Sequence, residues 1–162
     1  ESILDLPCGT GRFSSLLGDR HQVYLGADFS LEMLREAQVK LPRFFLAADC
    51  ATLPMEDRSV DACACVRFLH LVRDPEIRIR FLSELARVSR LGVIVDYRHD
   101  RTFRIWGKRL RHRMGLLELA PSNPSPGQIR SELAAAGLKP HTFIKVHRAP
   151  FLSDKILVVC TP

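Results

Sequence analysis

Short apolar runs recur along the chain at residues 3–6, 23–27, 44–48, 62–66 and 93–97, with stretches of helical periodicity between them. Near-continuous runs of this length suit strands covered on both faces, and their alternation with helices predicts a parallel sheet built from βαβ units. The expected fold class is doubly wound α/β. Ser30 is placed to cap a helix with Glu32 in its first turn, with Met33, Leu34, Ala37 and Leu41 on one face and Pro42 at its end. Asp74-Pro75 joins a cap to a proline at the first helical position, and Ile77, Phe81, Leu82, Leu85 and Val88 form an inward stripe running up to Gly92. Ser125 and Gln128 match a capping box that opens a helix with Ile129 and Leu133 inward and Gly137 at its stop. Residues 142–146 and 155–160 are two further strand-like runs with no helix-length segment between them. They predict an antiparallel hairpin and bring the expected strand count to seven.

At 162 residues, 46% hydrophobic and 26% charged, the composition is that of one ordinary soluble domain with a real core. No apolar run approaches the roughly 18 residues of a membrane span and no signal-peptide pattern opens the sequence, so the expected location is cytoplasmic. The first strand begins at residue 3 and the sequence opens with Glu rather than Met, which predicts an N-terminal part lying outside it. The five cysteines, Cys8, Cys50, Cys63, Cys65 and Cys160, are odd in number and form no C-x-x-C pair, which speaks against a disulfide framework and a zinc site. Alternation puts Cys63 and Cys65 on one sheet face as small buried hydrophobes. No metal is expected.

The chemistry begins at the glycine turn after the first strand, in ILDLPCGTGRF. A strand that ends in such a turn and feeds a helix lets backbone approach a ligand closely, and Gly9 and Gly11 permit that approach. Alone, G-x-G also describes many tight turns. Asp28 follows Gly9 by nineteen positions, near the interval at which an acid reaches a ribose hydroxyl pair in a Rossmann unit. A dinucleotide fold usually shows a third small residue, but here that position is Ser14, preceded by Phe13. Asp49 then ends the third run. Acids at successive strand mouths are adverse to a pyrophosphate and suit a cationic or neutral nucleoside better. Taken singly, Asp28 and Asp49 also read as helix caps or turn formers, and Phe29 as core.

DLPCGTG, GADFSLEML, AADCATLPMEDRSVDA and VRFLHLVRDPE, in this order and spacing, resemble the successive motifs of class I S-adenosylmethionine-dependent methyltransferases, especially the "type 11" group that includes ubiquinone and menaquinone methyltransferases. The resemblance covers about residues 3–97 and departs at Pro7, where the family commonly has glycine. It implies a Rossmann-like fold and S-adenosylmethionine as cofactor. It also implies that Asp5 orders the loop, that the backbone of Cys8, Gly9, Thr10 and Gly11 faces the methionyl part, and that Asp28 accepts from both ribose hydroxyls. Phe29 is implied beside the adenine, Asp49 on its exocyclic amine, the Cys50 N–H on a ring nitrogen, and Arg67 near the methionine end or the acceptor.

Methyl transfer from a sulfonium is an in-line displacement, so a base is needed only when the acceptor has a proton to lose. The candidates near the expected mouth are His70, Tyr97 and His99. His70 also reads as a packed residue at a helix start. Residues 98–114 carry seven Arg or Lys against the single Asp100, an excess equal to the +6 of the whole chain. Phe103, Trp106, Leu110, Met114 and Leu117 recur at intervals of three and four, predicting an amphipathic basic helix despite Gly107. The resemblance implies that this insertion, over residues 98–125, lies near the acceptor site, and three readings of it stay open: a solvated helix covering the sheet, a surface for an anionic membrane or a lipid-like acceptor, and nonspecific phosphate affinity for nucleic acid. No RNA-reading module accompanies it, so no specific nucleic acid is expected. The expected activity is methyl transfer to a small-molecule or lipid-like acceptor. An NAD(P)-dependent oxidoreductase and a catalytically silent cofactor-binding module are the alternatives.

Overall fold

A computed structural model describes residues 1–20, 23–40, 43–146 and 153–162. Its strands are β1 (Ser2–Asp5), β2 (Val23–Asp28), β3 (Phe44–Ala47), β4 (Val60–Cys65), β5 (Ser89–Arg98), β6 (Lys139–Lys145) and β7 (Lys155–Thr161). They form one sheet in the order β3-β2-β1-β4-β5-β7-β6. The first five are parallel, and β7 runs antiparallel to both β5 and β6. The chain therefore steps outward from β1 to β3, returns to the other side of β1 and steps outward again. The reversal opens a crevice beyond the carboxyl ends of β1 and β4, where open α/β sheets bind ligands.

The helices are α1 (Ser14–Gly18), α2 (Leu31–Lys40), α3 (Pro75–Val88), α4 (Phe103–Arg113) and α5 (Pro126–Ala135), with a 3₁₀ turn at Leu69–Leu71. Alternation along the strands divides their side chains between two cores. Leu4, Leu6, Cys63, Cys65 and Val93 join Phe81, Leu85, Ile129 and Leu133, whereas Ile3, Tyr24 and Ala64 pack with Leu17 and Phe45 on the opposite face. Cys63 and Cys65 thus share one buried face, as their spacing predicts.

Local signals explain the helix starts. The Asp74 carboxylate accepts the Glu76 N–H at 2.9 Å. Ser125 and Gln128 close the capping box reciprocally, at 3.2 and 2.7 Å. Ser30 Oγ accepts the Met33 N–H at 3.3 Å. Three expectations need revision. α3 ends at Val88 and Ser89 enters β5 directly, so Gly92 lies within a strand and does not stop the helix. On α2 only Leu34 and Ala37 are buried, with Met33 turned outward, while Leu41 and Pro42 lie outside the described residues. Ile77, expected in the α3 stripe, is half exposed in the helix's first turn, where it borders the crevice.

Candidate functional site

The turn after β1 is held by backbone. The Cys8 N–H donates to Ala27 O at 2.8 Å, tying the turn to β2, and the Gly11 N–H donates to Cys8 O at 3.1 Å. Gly9 and Gly11 both sit in the left-handed region, at φ +54° and +71°. A Cβ on Gly11 would stand 3.1 Å from Ala37 Cβ, so this glycine also lets α2 approach. Ser14, in place of the third glycine of a dinucleotide turn, is buried and donates from Oγ to Gly11 O at 2.6 Å. Lys40 Nζ donates to the Thr10 carbonyl at 3.2 Å, closing the outer side.

Asp28, at the last position of β2, organises this turn and the next helix together. Its Oδ2 accepts the Gly9 N–H at 2.7 Å and its Oδ1 accepts the Ser30 N–H at 3.0 Å. The same side chain lines a cavity of about 250 Å³ with Pro7, Phe29, Asp49, Cys50, Phe68, Ile77 and Phe81. Phe29 stands at its mouth, 76% exposed. The exposed Asp49 turns one oxygen back to accept the Ala51 N–H at 2.8 Å. Phe68 and Phe81 meet edge-on at 5.1 Å to form the apolar floor. Burial, helped by Asp28 and Asp49, pushes the Cys50 thiol up to about 12, so it stays protonated and non-nucleophilic. Two carboxylates beside apolar and aromatic walls can accept from hydroxyl and amine donors on a planar ligand.

Asp5 lies beneath this layer, level in register with Gly26 of β2 and Ala64 of β4. It is 1% exposed and accepts the Tyr24 hydroxyl at 2.9 Å. Its direct partner is thus β2, and its effect on the turn is electrostatic, through Asp28 and Cys8. Desolvation raises its pKa from 3.8 to about 6 despite the Tyr24 bond. Because the folded state holds this proton more tightly than the unfolded chain, its contribution is complete below about pH 4 and is lost as pH rises through about 6. Asp5→Asn keeps an acceptor for Tyr24 and has no charge to bury. We expect its stability relative to the parent to improve by about 1–3 kcal/mol between about pH 4 and about pH 7, read by denaturant unfolding at both ends. A gap that does not change with pH would refute the assignment.

The segment after β4 separates this cavity from a second one. Phe68 faces the first, whereas His70 and Leu71 line an open groove of about 430 Å³ completed by Arg73, Lys108, Leu117, Leu119 and residues 120–123. Arg67, at φ +68°, is held by its N–H donating to Asp96 Oδ1 at 2.5 Å, and its side chain is exposed. The buried Asp96, at the end of β5, is a positioning residue that sequence reasoning missed. Partial burial and the Arg98 charge lower the His70 pKa below its usual value, and His70 Nδ1 has no hydrogen-bond partner among the described residues. His99 borders neither cavity: its Nδ1 accepts the Arg101 N–H at 3.1 Å, and its own N–H donates to Asp154 O at 2.8 Å.

Tyr97 requires a correction. Its ring is 1% exposed and its hydroxyl donates to Glu132 Oε2 at 2.9 Å, within a buried pair that Glu132 makes with Arg78. Burial, with Glu132 beside it, raises the phenol pKa well beyond its normal range, so it remains a protonated strut and not a base. The Arg78–Glu132 pair is the other feature missed in the sequence. Arg78 Nη1 also donates to Val72 O and Arg73 O, at 2.8 and 3.0 Å, which ties the groove's edge to α5.

Known proteins resemble this chain in sequence and in fold. The sequence model of the family described as "Methyltransferase domain" matches residues 4–95. Demethylmenaquinone methyltransferase of Paenarthrobacter aurescens is 34% identical over 103 residues, covering 61% of this chain and 40% of the relative. Malonyl-[acyl-carrier protein] O-methyltransferase of Hamiltonella defensa is 33% identical over 94 residues, covering 57% and 35%. The chain thus spans well under half the length of these relatives. Among solved structures, a SAM-dependent methyltransferase from Methanosarcina mazei superposes with a TM-score of 0.81 at 19% identity, covering 98% of this chain and 91% of that one. Magnesium protoporphyrin IX methyltransferase from Synechocystis with bound SAH gives 0.75 at 21%, covering 98% and 72%. At these identities the structural matches speak for the fold.

Proposed function

Because the chain belongs to the methyltransferase-domain family, whose pattern it carries over residues 4–95, we propose that it binds S-adenosylmethionine and transfers the methyl group to a small-molecule or lipid-like acceptor. The observation that carries this reading is that one cavity is lined by both Asp28, at the end of β2, and Asp49, just past β3, with Phe29 on its wall and Asp28 bonded to the Gly9 N–H of the glycine turn. Each carboxylate spends bonds on backbone yet keeps lone pairs for a ligand, so Asp28 would hold the ribose hydroxyls and Asp49 the adenine amine. A pyrophosphate would meet both charges unfavourably.

S-adenosylmethionine supplies an electrophilic methyl group on a sulfonium. The chain's own task is to fix the two reactants in line and keep water out. The groove beside His70, next to the cofactor cavity, is our acceptor site. With its pKa lowered, His70 is neutral near pH 7 and able to take a proton from an acceptor that must lose one. Calorimetric titration with S-adenosylhomocysteine and, separately, with NADH tests the proposal. We expect saturable binding of the first and none of the second. Binding of NADH alone would overturn the reading in favour of hydride-transfer chemistry.

A further inference from the structure

Helix α4 is inside out with respect to the fold. Thr102 caps it, and Ile105, 2% exposed, anchors it, with Lys108 and His112 half-buried on that same side. On the opposite side Phe103, Trp106, Leu110 and Met114 fall within an arc of about 80° at 100° per residue. They are 70%, 67%, 45% and 56% exposed. The apolar stripe that periodicity predicts therefore exists, but it points away from the sheet. Arg111 and Arg113 flank it on either side, and neither belongs to an ion pair among the described residues. Arg104 and Arg109 are paired, with Asp154 and Asp100. Exposed Leu116 and Leu119 extend the apolar surface to the rim of the His70 groove.

We propose that this face docks on the surface of an anionic bilayer, with Trp106, Leu110 and Met114 entering the headgroup boundary and Arg111 and Arg113 reaching lipid phosphates. An amphipathic helix with arginines beside its apolar stripe has the properties of an interfacial helix, and the arginine stems cover apolar surface while their heads remain at the phosphates. Charge chooses the occupant. All of the chain's +6 excess is concentrated in residues 98–114, so a second copy would bring the same sign to the contact. Phosphate contact with nucleic acid leaves the outward Trp, Leu and Met without a role, whereas a bilayer buries them. In combination with the acceptor-site reading above, on which this part rests, docking sets the groove mouth at the lipid surface. The acceptor it favours is one that partitions into membrane.

Trp106 is the only tryptophan of the chain, so its fluorescence reports on this face alone. The full chain is mixed with vesicles of phosphatidylcholine, and of phosphatidylcholine with phosphatidylglycerol, and followed by emission and co-sedimentation. We expect a blue shift and sedimentation with the anionic vesicles only. Arg111→Gln with Arg113→Gln should weaken that partitioning about thirtyfold, and Leu110→Asp should abolish the shift. Both variants should keep the parent's thermal melt and its affinity for S-adenosylhomocysteine. No shift with anionic vesicles, equal binding to neutral ones, unchanged partitioning of both variants, a Trp106 already buried in a lipid-free dimer, or release from vesicles by equimolar RNA would each overturn docking. Vesicle binding without S-adenosylhomocysteine binding would leave docking standing and reject the cofactor reading instead.

Discussion

Replacing Glu132 with alanine is expected to lower folding stability by about 3–5 kcal/mol, the scale for removing one partner of a buried ion pair. Arg78 and Glu132 are 3% and 5% exposed, and the carboxylate takes bonds from Arg78 Nε at 2.9 Å and from the Tyr97 hydroxyl at 2.9 Å. Deleting it strands a guanidinium and a phenol in the core between α3, β5 and α5, where neither is solvated. Tyr97→Phe removes a single hydroxyl and should cost only about 1 kcal/mol. Arg78→Met combined with Glu132→Leu removes both charges, and we expect it to recover a large part of the loss. Recovery should stop short of complete, because Val72 O and Arg73 O lose the Arg78 donor. Urea unfolding of the four proteins checks the pattern. A Glu132→Ala cost below about 1 kcal/mol would mean that the pair is hydrated and that its geometry carries little energy.

This network also shows where a sequence stops being readable. Arg78 stands between Ile77 and Ile79, and a periodic stripe gives such an arginine to the solvent face. Its partner lies 54 residues away, a distance over which no pattern rule operates. Asp96 and Arg67 are likewise 29 residues apart and meet only because β4 and β5 pair. The cavity lined by Asp28 and Asp49 was more legible because topology does the placing. Parallel strands bring every strand end to one rim, so Asp28 and Asp49 converge as soon as β2 and β3 are recognised as neighbours. Caps at Asp74 and Ser125 were legible because they act over two or three residues. α4 is the intermediate case: periodicity gives the stripe of Phe103, Trp106 and Leu110, but that Ile105, outside this stripe, is the position buried against the fold is a tertiary fact.

Asp28→Ala should weaken S-adenosylhomocysteine binding by at least about 2 kcal/mol, or roughly thirtyfold, and also cost about 1 kcal/mol of ligand-free stability. Turn forming and ligand contact read as alternatives for this residue in the sequence, but the carboxylate does the first, through the Gly9 and Ser30 N–H groups, while lining the cavity where the second would occur. Lost affinity alone therefore does not separate the roles, since freeing the Gly9 N–H loosens the turn as well. A second perturbation on the ligand does. If Asp28 accepts from the ribose hydroxyls, an analogue lacking the 2′-hydroxyl should bind the parent protein about tenfold more weakly and bind Asp28→Ala no worse than the full ligand does, a coupling of about 1.4 kcal/mol in the double-mutant sense. If Asp28 acts only through the turn, the hydroxyl should matter equally in both proteins and the coupling should vanish. Asp28→Asn sharpens the contrast, because it keeps one oxygen for Gly9 or Ser30 but turns an amide toward the other N–H. We expect it to restore part of the stability and little of the ribose discrimination, since the shape of the turn can be rebuilt with a neutral acceptor while the paired hydroxyls need a carboxylate.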